Sequence, residues 1–322
     1  MSNYAILTSG GDSPGMNCAI RAFTRTLIFN GHKVFGVRKG YKGLINGDFI
    51  KLKASSVGNI LQRGGTILQS SRSEQFKEKK FREIAHKNLQ ENKIDGLVVI
   101  GGDGSFKGAY ALWEDFKFPV IGVPGTIDND ISGTDYTIGH DTAVQTAVDA
   151  VDKIRDTAFS HDRVFLIEVM GRRSSSIAIK TALCSGAENV VLPNMEIDYE
   201  DLVMSIKRGE ERGKKGSIFI VAEGATEGRS YDIQKTLNDT HGISSRVCIL
   251  GHIQRGGSPS PRDRLIATEM GFLAAESFLK FSSPVVVRLQ NGQISTAPFT
   301  ECLSKDDGID FEHIEVIKKI SI

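Results

Sequence analysis

Short apolar runs of strand length alternate along the chain with longer segments whose apolar residues recur every three or four positions. YAILT at 4–8 predicts a buried strand and 16–29 a helix. Residues 33–37 predict a second strand and the charged stretch 79–92 a helix. LVVI at 97–100 predicts a third strand, 105–116 a helix, and VIGV at 120–123 a fourth strand. After a Gly- and Asp-rich stretch (124–139) the alternation resumes. Helices are expected over 142–158, 175–185, 199–212, 231–241 and 262–281, with strands over 163–169, 189–192, 217–222, 246–250 and 284–289. The first of these helices carries Ala143, Ala147, Ala150, Val151 and Ile154 at helical spacing. Strands that alternate with helices imply βαβ units, hence mostly parallel sheets covered on both faces. No repeat or low-complexity linker interrupts the pattern, and two α/β domains fit its length better than one very wide sheet.

Composition narrows the function classes. The 322 residues carry 40 Lys plus Arg against 39 Asp plus Glu, a net charge of +1, which argues against bulk electrostatic binding to nucleic acid or membrane. No apolar stretch approaches the roughly 20 residues of a membrane helix. The opening Met-Ser-Asn-Tyr has no basic region followed by a long apolar run, so no signal peptide is expected and the location expected is cytoplasmic. Cys18, Cys184, Cys248 and Cys302 form no C-x-x-C pair and read as reduced thiols. The outlying count is glycine, 34 residues, about one and a half times the usual share.

Those glycines gather where strands are expected to end. The first strand runs into Ser9-Gly10-Gly11-Asp12-Ser13-Pro14-Gly15 and the third into Gly101-Gly102-Asp103-Gly104-Ser105, each followed by a helix. Such a turn lets backbone approach a ligand beside a helix N-terminus whose N–H groups favour anions. One glycine turn equally just joins a strand to a helix; two in one sheet favour a polyphosphate. Neither fits G-x-x-x-x-G-K-S/T or G-x-G-x-x-G. Asp103 in the second turn would repel phosphate unless a cation lay between them, and Mg²⁺ is content with one or two protein carboxylates; the alternative is a helix cap. Asp128 and Asp130 in PGTIDND (124–130) lie two apart, on one side of an extended stretch, where one could act as base and the other pair with a cation; an acidic turn is the plain alternative. The second half instead offers Arg163, Arg172, Arg173, Arg246, His252 and Arg255. Arginine suits phosphate through its planar fork. Glycine cradles and carboxylates in one half, arginines and a histidine in the other, fit a kinase that sets a nucleotide–metal site against an anionic acceptor.

The ordered motifs TSGGDSPGMN (8–17), RGGT (63–66), IGGDGS (100–105), PGTIDND (124–130), GTDYTIG (133–139), EVMGR (168–172) and LGHIQRGGSP (250–259) resemble the bacterial ATP-dependent 6-phosphofructokinases over nearly the whole chain. The resemblance implies a glycolytic kinase of α/β class with two Rossmann-like αβα domains. The larger, ATP-binding domain would take 1–139 and about 252–300, the smaller, sugar-phosphate domain 140–251 and about 301–322. It implies transfer of the γ-phosphate of MgATP to the 1-hydroxyl of fructose 6-phosphate. Asp128 would be the base, with Thr126 near the transferring phosphate and Arg172 stabilising the developing charge. Gly11, Arg72, Ser73, Gly102, Asp103, Gly104 and Ser105 would hold ATP, Asp103 also Mg²⁺ with Asp130 nearby. Thr126, Ile127, Asp128, Met170, Gly171, Arg172, Glu223, His252 and Arg255 would hold the sugar phosphate. Arg163 and Arg246 would reach the 6-phosphate of a neighbouring subunit's substrate in a homotetramer.

Gly104 and Gly125 stand where pyrophosphate-using relatives typically carry Asp and Lys, so their lack of side chains is expected to leave room for ATP. A pyrophosphate-dependent enzyme is the alternative, and a non-catalytic metabolite-sensing subunit a second, disfavoured by the retained Asp103, Thr126, Asp128 and Arg172. An effector site for ADP or phosphoenolpyruvate would use Arg21, Arg25, Arg155, Glu188, Arg212, Lys214 and Lys215. Ala54 and Asn59 depart from the family there, replacing Arg and Asp. Ser175 replaces a glycine near Arg172, and Lys77 an arginine near the adenine edge.

Overall fold

The computed structural model describes residues 1–160, 163–193, 195–280, 284–303 and 311–321. Its contacts divide the chain into two compact units, Met1–Thr142 with Arg255–Asp306, and Ala143–Gln254 with Asp307–Ile322.

In the first unit seven strands form one sheet: β1 (Asn3–Thr8), β2 (Lys33–Val37), β3 (Phe49–Leu52), β4 (Gly96–Gly101), β5 (Val120–Pro124), β10 (Val285–Gln290) and β11 (Gln293–Pro298). Their order is β11-β10-β5-β4-β1-β2-β3. The five inner strands run parallel, and β3 and β11 close the edges antiparallel. Alternation along each strand sorts side chains to two faces. Ile6, Val98, Ile100 and Val123 meet Ile20 and Phe23 of α1 (Met16–Phe29) and Met270 of α9 (Pro261–Lys280). Leu7, Leu97 and Val99 meet Leu89 of α3 (Lys79–Glu91) and Phe106 and Leu112 of α4 (Asp103–Phe116), with α2 (Gly40–Asn46) and α10 (Phe299–Cys302) on the same side. The chain leaves β1 toward β2 and leaves β4 toward β5, so the sheet's direction of growth reverses between the adjacent β1 and β4. In open parallel sheets the crevice at that reversal is where ligands bind.

The second unit is a smaller parallel sheet, β7-β8-β6-β9, made of β6 (Arg163–Val169), β7 (Asn189–Val191), β8 (Gly216–Ala222) and β9 (Ser245–Ile249). Helices α5 (His140–Ser160), α6 (Ser176–Ser185), α7 (Tyr199–Glu211), α8 (Arg229–His241) and α11 (Phe311–Ile320) belong largely to it. Leu166, Phe219 and Val221 pack with Leu202, Ile206 and Ile233 in one core.

The expected strands and helices are present, within a few residues of their expected bounds; position 281 of the last expected helix lies outside the described residues. The expectation missed α2, β3, β11, α10 and α11. Among the described residues no helix is long and apolar enough to cross a membrane.

Candidate active site

The two glycine turns lie side by side because β1 and β4 pair in register, Thr8 opposite Ile100. Ser9 N–H donates to the Ile100 carbonyl at 2.9 Å. Gly101 has no room for a side chain: a Cβ there would come within 2.5 Å of Ser105 Oγ and 2.6 Å of the Ser9 carbonyl. The third wall is the segment bearing Arg72 and Ser73. Ser70 Oγ donates to the Gly10 carbonyl at 2.6 Å, and Tyr41, stacked on Phe76 at 3.9 Å, donates its hydroxyl to the Ser105 carbonyl. Gly11 faces Arg255, whose Nη1 would lie 2.6 Å from a Cβ there. Arg255 Nη1 also donates to the Asp12 carbonyl at 3.4 Å.

Gly102 caps α4, and Asp103, Gly104 and Ser105 form its first turn. The Asp103 side chain makes no cap bond; it pairs with Lys107 at 2.6 Å and is 40% exposed. Among the described residues no three His, Cys, Asp or Glu side chains gather as a metal cage. A lone, accessible carboxylate at a helix N-terminus suits a cation that draws its other ligands from phosphate and water. A Cβ on Gly104 would meet nothing within 4 Å. Gly125 is different, and the expectation that it leaves room is corrected: a Cβ there would strike Ile100 Cγ2 at 2.8 Å and Met16 Cε at 3.1 Å, inside the core.

PGTIDND follows β5 directly. Asp128 is 7% exposed, whereas Asp130 is exposed. The shared side expected for them is also corrected, because Asn129 between them is left-handed, with φ +53°, and the stretch is not extended. Thr126 Oγ1 accepts the Asp128 N–H at 3.2 Å. That bond occupies a lone pair of the hydroxyl and leaves its hydrogen to be donated elsewhere. Gly102 lies against Thr126, 3.6 Å from a Cβ position to Thr126 Cβ, so this loop adjoins the second glycine turn.

In the second unit, the carboxyl end of β6 delivers Met170, Gly171 and Arg172. Met170 N–H donates to Gln254 Oε1 at 2.9 Å, and Arg172, left-handed with φ +50°, donates its N–H to Glu223 Oε1 at 3.1 Å. Arg172 and His252 are exposed and Glu223 is half-buried. Ser175, buried, precedes α6. Arg163 and Arg246 lie at the other end of this sheet, at the starts of β6 and β9, and both are exposed.

Of the proposed effector residues, Arg21 and Arg25 are on α1 in the first unit, where Arg25 Nη2 donates to the Ala54 carbonyl at 3.4 Å. In the second unit Arg155 donates to the Ser185 carbonyl at 2.5 Å, Arg212 Nε to the Arg208 carbonyl at 2.9 Å, and Lys214 pairs with the buried Glu188. Lys215 is exposed.

Sequence reasoning passed over several residues that hold these loops. Glu168, 1% exposed, accepts N–H bonds from Gly228 at 2.6 Å and Ser230 at 2.9 Å at the start of α8. Asp263, fully buried, accepts from Gly139 N and Thr142 N, both at 2.8 Å, and from Thr142 Oγ1 at 2.5 Å. Burial pushes the Asp263 carboxyl above its ordinary range, and those three donors oppose the rise. Partners about 60 positions away for Glu168, and more than 120 away for Asp263, leave no signal in a single sequence.

The Phosphofructokinase family model matches residues 3–278. The chain is 48% identical, over the full length of both chains, to ATP-dependent 6-phosphofructokinases of Halalkalibacterium halodurans and Bacillus cytotoxicus. Among solved structures, phosphofructokinase from Saccharomyces cerevisiae superposes with a TM-score of 0.88 at 33% identity, covering 99% of this chain and 46% of that one. A pyrophosphate-dependent phosphofructokinase from Marinobacter aquaeolei shares the fold, with a TM-score of 0.82 at 20% identity over 98% of this chain and 91% of that one. With two glycine turns at the sheet's reversal, a buried aspartate beside them, and this likeness along its whole length, the chain belongs to the phosphofructokinase family.

Proposed function

We propose that this chain transfers the γ-phosphoryl group of MgATP to the 1-hydroxyl of fructose 6-phosphate, giving fructose 1,6-bisphosphate and ADP. The observation that carries this is the buried Asp128 held beside a glycine cradle at the sheet's reversal point. The full-length similarity to ATP-dependent 6-phosphofructokinases supports it.

The sugar's 1-hydroxyl oxygen bonds to the γ-phosphorus as the bond from that phosphorus to the β–γ bridging oxygen breaks, and the hydroxyl proton passes to Asp128. Phosphoryl transfer depends on alignment and charge neutralisation, and the base makes a poor nucleophile competent. The Thr126 hydroxyl donates its hydrogen toward the transferring group, and Arg172 offsets charge there. Gly11, Arg72, Ser73, Gly102, Gly104 and Ser105 hold the nucleotide. Ile127, Met170, Gly171, Glu223, His252 and Arg255 orient the sugar phosphate. Asp103, with Asp130 nearby, would hold Mg²⁺, which neutralises phosphate charge when bound.

Arg163 and Arg246 stand at the end of their sheet opposite Arg172 and serve a neighbouring copy in a homotetramer. Arg21, Arg25, Arg155, Glu188, Arg212, Lys214 and Lys215 take a nucleotide or phosphoenolpyruvate effector, and the enzyme works in the cytoplasm.

The test is product formation from fructose 6-phosphate with MgATP, in parallel with magnesium pyrophosphate. Turnover with ATP alone is expected. Turnover with pyrophosphate alone overturns the donor, and sugar-phosphate binding without turnover on either overturns the enzyme.

A further inference from the structure

The backbone that carries Asp128 is gripped residue by residue from one neighbouring segment. Thr137 Oγ1 donates to the Thr126 carbonyl at 2.6 Å, and His140 Nδ1 lies 2.7 Å from the Ile127 carbonyl. A carbonyl only accepts, so Nδ1 carries a proton and donates it there. On the far side of Asp128, the left-handed Asn129 accepts the Thr137 N–H on Oδ1 at 2.8 Å. Ile138 N–H donates to the Pro124 carbonyl at 2.9 Å. The residues just before α5 thus meet 124–127 at a single parallel bridge, Gly125 with Ile138. Thr137 and His140 are both fully buried, and Thr137 Oγ1 and His140 Nδ1 meet carbonyls two and one residues ahead of the proposed base. The segment is itself anchored, because Asp263 of α9 accepts the N–H groups of Gly139 and Thr142 on either side of His140.

We propose that Thr137 and His140 are positioning residues for phosphoryl transfer, fixing the peptide units on which Asp128 rides. This rests on Asp128 being the base. A peptide plane released at Thr126 or Ile127 is free to rotate and displaces the carboxylate without removing it. A misplacement of about 1 Å costs as much as 10²-fold in rate. Most of the residues proposed to hold the sugar phosphate lie outside the released peptides, which carry only Thr126 and Ile127 of that set, so the loss falls mainly on kcat rather than on KM.

The experiment compares Thr137→Val with Thr137→Ser, and His140→Leu with His140→Asn, in the full-length enzyme. Serine keeps the hydroxyl, and the Asn side-chain amide can donate from close to the Nδ1 position. Steady-state kinetics are read together with thermal unfolding, and Asp128→Ser is measured alongside. Thr137→Val and His140→Leu are expected to lower kcat about tenfold or more, with both KM values within about twofold of native. Thr137→Ser and His140→Asn are expected to recover most of the rate. A Thr137→Val enzyme that fails to fold leaves the His140 pair to decide.

Folded Val and Leu variants with native kcat overturn the positioning role, as does a loss that Ser and Asn fail to rescue. Asp128→Ser is expected to lose at least about 10²-fold in kcat. Near-native turnover by Asp128→Ser overturns the base, and the positioning role falls with it. A dead Asp128→Ser beside fully active Val and Leu variants overturns the positioning role alone.

Discussion

At the scale of single residues, Gly104 and Gly125 show what a missing side chain does and does not mean. Gly104 opens onto free space in the first turn of α4, whereas Gly125 faces Ile100 and Met16 in the core. The size argument for ATP therefore rests on Gly104. Gly104→Asp would place a carboxylate beside the phosphate cradle without a steric clash. An acidic residue in a helix's first turn favours folding through the helix dipole, so the variant should unfold no earlier than native. Its KM for ATP should rise at least tenfold, a loss of about 1.4 kcal/mol. Unchanged ATP kinetics in a folded variant would contradict the argument. The glycines themselves were legible in the sequence, and so was their place at strand ends. The direction of a Cβ vector was not, since it depends on which neighbours the fold brings up. For the same reason Asp128 and Asp130 looked equivalent until Asn129 proved left-handed.

At the scale of elements, the docking of α3 contains a pH-sensitive contact. His86 stacks on Phe116 at the end of α4, with ring centroids 4.5 Å apart, and meets Phe118 edge-on at 5.7 Å. Burial holds its pKa below the ordinary 6.5. The folded protein thus binds this proton less readily than the unfolded chain does. The contribution is full above pH 6.5 and is lost as pH falls from there through the lowered value. His86→Phe keeps an aromatic ring and removes the titration. Its melting temperature should drop less than native between about pH 8 and about pH 5.5; an equal drop would show that His86 takes up its proton alike in the folded and unfolded states.

The elements missed at sequence level have separate causes. Helix α2 carries Gly40 and Gly43, with Gly47 at its end, and glycine argues against a helix. Gly43 is nevertheless required, because any side chain there would collide with the Arg38 carbonyl. The hairpin of β10 and β11 did announce itself: Asn291-Gly292, both with positive φ, is a strong two-residue turn signal. Its second strand is largely polar and was passed over for lack of an apolar run. Helix α11, with Phe311, Ile314 and Ile317 three apart, was readable by periodicity.

At the scale of the whole molecule, the geometry of one sheet bears on whether a single chain can complete its own site. Strand β6 has seven residues, so its two ends lie about 20 Å apart. Arg163 opens it and Arg172 follows its far end, while Arg246, opposite Phe165 in β9, sits at the Arg163 end. A single sugar phosphate is too short to touch both ends, so the two groups of arginines serve different ligands or different copies of the chain. The proposal of shared sites chooses the second, and subunit mixing separates the two. Chains bearing Asp128→Ser would lack the base but keep both outlying arginines. Chains bearing Arg163→Ser and Arg246→Ser would keep the base but lend nothing to a neighbour. Each parent should turn over poorly at low fructose 6-phosphate. When the two are dissociated together and reassembled, a doubly mutated chain beside an Asp128→Ser chain would regain a complete site, so activity should exceed the mean of the parents. Were Arg163 and Arg246 to serve a different ligand instead, the doubly substituted parent would keep its own whole site and turn over near the native rate, and mixing would raise activity no higher than the mean of the parents.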